Sequence, residues 1–207
     1  MPTSKETILE ALRRNRPPAA AELPTLDCQW TTHADRRAKF IEVLELVGGQ
    51  AIMARDSAHL NEQLLQLPQF QSAKKVASLV PGITGANVDV QAIDSPHALA
   101  DIDIAVFPGE FAVAENAAVW INDAKVPLRV LYFLCQHLVL VLAADQIVDH
   151  MHAAYERLAA YDNGLSHFHT PGFGAFISGP SKTADIEQSL VIGAHGPRSL
   201  VVCFIEQ

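Results

Sequence analysis

The sequence predicts an α/β domain in which helices flank a mainly parallel sheet. Three observations carry that expectation. Short apolar runs at residues 51–54, 76–80, 104–107 and 138–142 alternate with amphipathic helical segments, the pattern of βαβ units. The run at 138–144 is apolar at every position, as a strand buried on both faces would be. Finally, 49% of the 207 residues are hydrophobic and 18% charged, enough to bury one sizeable core and to exclude a wholly disordered chain.

At the N-terminus, Thr3 and Glu6 form a capping box that opens a helix to about Arg14, with Ile8, Leu9 and Leu12 as its apolar stripe. Residues 16–24 hold three prolines and read as an extended linker. We therefore divide the chain into an N-terminal helix and Pro/Ala-rich linker, residues 1–31, and a single α/β domain, residues 32–207. The helix is expected to pack on the domain or on a second subunit, which leaves homo-oligomerisation open.

In the domain, residues 32–47 read as a helix with Phe40, Val43, Leu44 and Val47 on one face, ended by Gly48 and Gly49. Asp56 can cap the next helix, whose apolar face is Leu60, Leu64 and Leu67 and which Pro68 should close. A short helix is expected over 95–100 and an antiparallel, hairpin-like insertion over 111–121. A helix over 148–160 and strands over 175–178 and 200–205 complete the pattern.

Net charge is −8, from 15 basic and 23 acidic side chains. That balance argues against nucleic-acid binding, which needs a basic face to displace counterions. The longest unbroken apolar run is strand-sized, and the charged N-terminal stretch lacks the apolar core of a secretory signal, so no membrane association and a cytoplasmic location are expected. Cys28, Cys135 and Cys203 are widely spaced and form no CxxC pair. An iron–sulfur cluster usually takes four thiolates, so no cofactor of that kind is expected in this chain alone.

Three stretches could carry chemistry. Residues 177–187 read ISGPSKTADIE, a strand end, a Gly-Pro turn and an expected helix over about 181–192. Ser181 or Thr183 would cap its free N–H groups, and Asp185 and Glu187 would suit its dipole. Alternatively Ser181, Lys182 and Thr183 would offer donors to a carboxylate or phosphate at the strand's C-terminal end. Residues 193–200 read GAHGPRSL, a tight turn carrying His195 and Arg198. Arg198 could clamp a carboxylate and His195 move a proton, or both could bond main-chain carbonyls and neighbouring acids. In FAVAENAAVWI, residues 111–121, Glu115 is the lone acid. We expect it to be partly buried, as a catalytic group or as the partner of Lys182 or Arg198. The pairs His150/His152 and His167/His169 have no third ligand at metal spacing, so no metal site is expected.

The segments GPSKTADIE at 179–187 and GAHGP at 193–197, with the pair Ala114-Glu115, resemble the lactate-utilisation (LUD) domain family. The resemblance covers the chain from about Thr32 onward. It implies a fold like the ribose-5-phosphate isomerase, glucosamine-6-phosphate deaminase and CoA-transferase superfamily. It also implies a non-redox component of an L-lactate oxidation system, with redox chemistry supplied by iron–sulfur partner proteins. Two alternatives follow from the same resemblance and residues. One is a small-molecule enzyme of isomerase or CoA-transferase type, with Glu115 as base or nucleophile and Ser181, Lys182 and Arg198 holding a phosphate or carboxylate. The other is an organic-acid-binding module that needs no base. One departure stands out: where many members follow the Glu with Thr-Gly-Thr or Thr-Gly-Ser, this chain has Asn116-Ala117-Ala118. The change removes hydroxyl donors and backbone freedom from that loop.

Overall fold

The computed structural model describes residues 3–16, 22, 25, 28–124, 126–160, 172–184 and 189–206. The chain forms two compact units, Met1–Trp30 and Thr31–Gln207. In the first, α1 (Ser4–Arg14) starts at the expected capping box: the Glu6 N–H donates to Thr3 Oγ1 and the Thr3 N–H to Glu6 Oε2. That exchange satisfies two N–H groups that an uncapped helix would leave to water.

The second unit is built on a five-stranded, wholly parallel sheet. Its strands are β1 (Gln50–Ala54), β2 (Val76–Ser78), β3 (Ile104–Pro108), β6 (His137–Ala143) and β11 (Ser199–Ile205), in the order β1-β11-β6-β3-β2. The last strand is thus inserted between the first and the centre. Alternation at period two sends Val139 and Val141 of β6 to one core and Leu138, Leu140 and Leu142 to the other. Both faces are dry, which is why this strand shows no polar alternation.

On one face pack α3 (Ser57–Gln66) and α4 (Pro68–Ser72), through Leu60, Leu64 and Phe70. Asp56 caps α3 as expected, its Oδ1 accepting the His59 N–H at 2.8 Å. Pro68 does not simply close that helix. It opens α4, because proline at the first helical position has no N–H to lose. The other face is covered by α2 (Arg36–Leu46), through Phe40 and Leu44, and by a second sheet. Asp35 caps α2 by accepting the Ala38 N–H at 2.9 Å, so this helix begins four residues after the expected start.

The second sheet has the order β7-β4-β5-β8, from β4 (Phe111–Val113), β5 (Ala118–Asn122), β7 (Ile147–Val148) and β8 (Gly174–Ile177). The β4–β5 pair is the antiparallel insertion expected over 111–121. Its outer face holds Phe111, Val113 and Trp120 against α6 (Met151–Ala160), so Val148, read as helical, belongs instead to a strand. A short α5 (Leu131–Leu134) leads into β6. Among the described residues, no helix is long and apolar enough to cross a membrane.

Candidate functional site

Among the described residues, the stretch 181–192 does not form the expected helix. Residues 182–184 (β9) and 190–192 (β10) pair as antiparallel strands, with Val191 opposite Thr183 and Ile192 opposite Lys182. Thr183, Val191 and Ile192 are β-branched and favour the pleated backbone. Asp185 and Glu187 lie outside the described residues, as do His167 and His169. Without a helix start there is no dipole to hold an anion, and the site must rely on side chains and turns.

The turns bring the two C-terminal motifs together. The Ser181 N–H donates to Pro197 O at 2.9 Å, and the Gly193 N–H donates to Ser181 O at 2.8 Å. Gly179 has φ +74, and a Cβ there would lie 2.8 Å from Val47 O at the end of α2. Only glycine fits that left-handed, close approach. Gly196 passes so near Ser181 that an added Cβ would sit 3.0 Å from the serine Cβ.

Between these turns lies a cavity of about 260 Å³. Its polar walls are Tyr132, Ser178, Ser181 and His195, and Phe133 and Phe176 supply much of the rest. Leu138 and Leu200 also line it, each the second residue of its strand, so it sits at the amino ends of β6 and β11. The Tyr132 hydroxyl donates to Asn122 O at 3.2 Å. Burial, with the charges of Glu110 and Asp123, drives its pKa well above the ordinary phenol value, so it stays a neutral donor. The Ser178 hydroxyl donates to Asn116 O at 2.6 Å and ties the cavity rim to the β4–β5 turn.

Of the residues singled out in the sequence, Ser181 and His195 line this cavity, whereas Glu115, Lys182, Thr183 and Arg198 do not. Glu115 is exposed rather than partly buried. It sits at a turn, and the buried alanines Ala114, Ala117 and Ala118 carry the apolar character of the stretch. Its Oε1 accepts the Met151 N–H at 2.7 Å, a carboxylate placed at the start of α6. Ala117 has φ +51, so an alanine here holds a left-handed backbone that suits glycine better. Lys182 Nζ donates to Val47 O, one of the carbonyls that α2 leaves unpaired at its end. Thr183 is spent in the hairpin. The Arg198 N–H donates to Gln136 O at 2.8 Å, which sets the entry into β11.

Sequence reasoning missed Tyr132 and Ser178. Ser178 adjoins the Gly-Pro turn and could have been taken with it; Tyr132 carried no local signal, since α5 delivers it from more than 40 positions away. Among the described residues, no group of three or more His, Cys, Asp or Glu could hold a metal ion.

The match to known proteins falls on this region. A model of the LUD domain matches residues 94–205, more than half of the chain. "Lactate utilization protein C" of Geobacillus sp. is 28% identical over 202 residues, covering 94% of this chain and 76% of that protein. The protein of the same name from Oceanobacillus iheyensis is 24% identical over 104 residues, covering 50% of this chain and 44% of its own length. A crystal structure of a DUF162 family protein from Deinococcus radiodurans superposes with a TM-score of 0.58 over 82% of this chain and 98% of that one. At 19% identity it establishes the fold alone. With both C-terminal motifs inside the matched stretch, the chain belongs to the LUD domain family.

Proposed function

We propose that this protein acts in lactate utilisation, in the cytoplasm, as a non-redox component beside iron–sulfur partner proteins. Its motif-lined cavity would hold a small organic acid. The observation that carries the reading is the convergence of Ser178, Ser181 and His195 on one cavity within the stretch that matches the family. Relatives named lactate utilization protein C support the pathway. The cysteines support the division of labour. Cys135 and Cys203 are buried in cores on opposite faces of the central sheet, and Cys28 lies in the other unit.

The Tyr132 and Ser178 hydroxyl protons go to Asn122 O and Asn116 O, so Ser181 and His195 are the donors this wall offers. On a largely apolar lining they suit a carboxylate with a short polar tail, such as a 2-hydroxy or 2-oxo acid. Glu115 lies outside the lining, which supports binding over acid–base catalysis by that residue. The test has two arms. L-lactate or pyruvate should raise the melting temperature in a concentration-dependent way, and Ser181→Ala with His195→Ala should abolish the rise. Deleting the gene should slow growth on L-lactate, and the native protein should co-purify with iron–sulfur proteins. Unchanged growth on lactate together with no ligand shift would overturn the proposal.

A further inference from the structure

The cleft at the opposite, carboxyl edge of the central sheet is larger, about 490 Å³, and shares no lining residue with the motif cavity. We propose that it is a second ligand site, which takes the phosphate monoester of a small polyol. Its walls come from the segment before and into α2 (His33, Asp35, Arg36, Arg37) and from Ala144 and Asp145, which follow β6. In open α/β sheets this is the edge where loops leave the strands and form a crevice for ligands.

The donor set is built rather than incidental. Asp149 is 5% exposed and accepts both the His33 N–H and Arg36 Nε at 2.7 Å, which fixes the backbone and one guanidinium of the cleft wall. Arg36 Nη1 also donates to Ile147 O at 3.5 Å, and Arg37 spends one Nη1 contact on Glu206, at 3.3 Å. A guanidinium carries five N–H donors, so both arginines keep donors beyond these bonds. Their planar fork matches phosphate oxygens better than an ammonium does. The His33 imidazole lines the cleft and has no hydrogen-bond partner among the described residues.

The acids on the same wall narrow the ligand. Asp145 accepts from Gln146 Nε2 at 2.9 Å through one oxygen, and its remaining lone pairs can accept from hydroxyls. Asp35 is committed to capping α2. Inorganic phosphate and a phosphate ester would both set their charge on the arginines, but only the ester brings carbon-borne hydroxyls that can donate to Asp145.

Isothermal titration calorimetry of the full chain tests this with glycerol 3-phosphate, inorganic phosphate and glycerol. Glycerol 3-phosphate should bind more tightly than inorganic phosphate, and glycerol should give no heat. Arg37→Gln and His33→Ala should each weaken binding about tenfold or more, the scale of one charge-assisted hydrogen bond. Asp145→Asn should shrink the preference for the ester over inorganic phosphate. Circular dichroism and melting confirm that each variant is folded. Absence of binding by both phosphates in the folded wild type, or affinities that Arg37→Gln and His33→Ala leave unchanged, would overturn the assignment. Equal affinity for the ester and inorganic phosphate would overturn the polyol part.

Discussion

Replacing Asp149 by alanine strips a nearly buried acceptor from two donors at once. The His33 N–H and Arg36 Nε both lie 2.7 Å from its carboxylate, and the side chain is 7% exposed. A hydrogen bond to a charged group contributes about 1.5–3 kcal/mol. The Arg36 end is 54% exposed, so solvent reduces that pair to about 0.5–1 kcal/mol. Together Asp149→Ala should cost about 2–4 kcal/mol, or roughly 4–16 °C in melting temperature for a unit of this size. Asp149→Asn keeps an acceptor for His33 and loses the charge, so it should cost about 1 kcal/mol. The dependence on pH separates the two contributions. Burial pushes the Asp149 carboxyl up, but the His33 N–H and the bond and charge of Arg36 outweigh it and hold it below the ordinary value. A carboxyl depressed by folding stabilises fully above its unfolded value of about 3.9 and loses that contribution as pH falls through the folded value. Urea denaturation at pH 7 and pH 3 should therefore show the gap between wild type and Asp149→Asn closing at the lower pH. A gap of equal size at both, or an Asp149→Ala loss under about 1 kcal/mol at pH 7, would refute the account.

Gly179→Ala forces an L side chain into a left-handed backbone, costing about 1–2 kcal/mol, and sets its methyl 2.8 Å from Val47 O. Urea unfolding should register at least about 2 kcal/mol of lost stability, together with lost ligand response at the motif cavity. Ala117→Gly should be nearly neutral, within about 0.5 kcal/mol, because relief of the φ +51 strain offsets the buried methyl and the looser unfolded chain. Denaturant titration reads that balance, and a loss above about 1.5 kcal/mol would show that Ala117 is not strained. Burial pushes the Cys135 and Cys203 thiols up to about 12, while Cys28 is exposed. Iodoacetamide at pH 8 should therefore label Cys28 alone in the native protein and all three cysteines in urea, as counted by mass spectrometry.

Much of the fold is legible locally. The caps at Thr3 and Asp56 are short-range hydrogen bonds, written in adjacent residues and found where expected. The strand at His137–Ala143 announces itself because burial on both faces demands an apolar residue at every position. The LUD motifs were likewise plain in the chain, though what they build was not. Residues around Lys182 hold helix formers and caps beside β-branched residues, and the choice fell to pairing with Leu190–Ile192, a cross-strand contact within the same stretch that helical spacing does not report. Glu115 looked buried because its neighbours are, yet the β4–β5 turn lifts it to the surface. The cavity needs Tyr132 from α5, Ser178 from the end of β8 and His195 from the turn before β11; the carboxyl-edge cleft needs Asp149 to hold Arg36 across more than a hundred positions. Side-chain period and capping are properties of neighbours along the chain and could be read from it. The meeting of distant turns depends on which strands pair and in what order, and that was decided only when β11 took its place between β1 and β6.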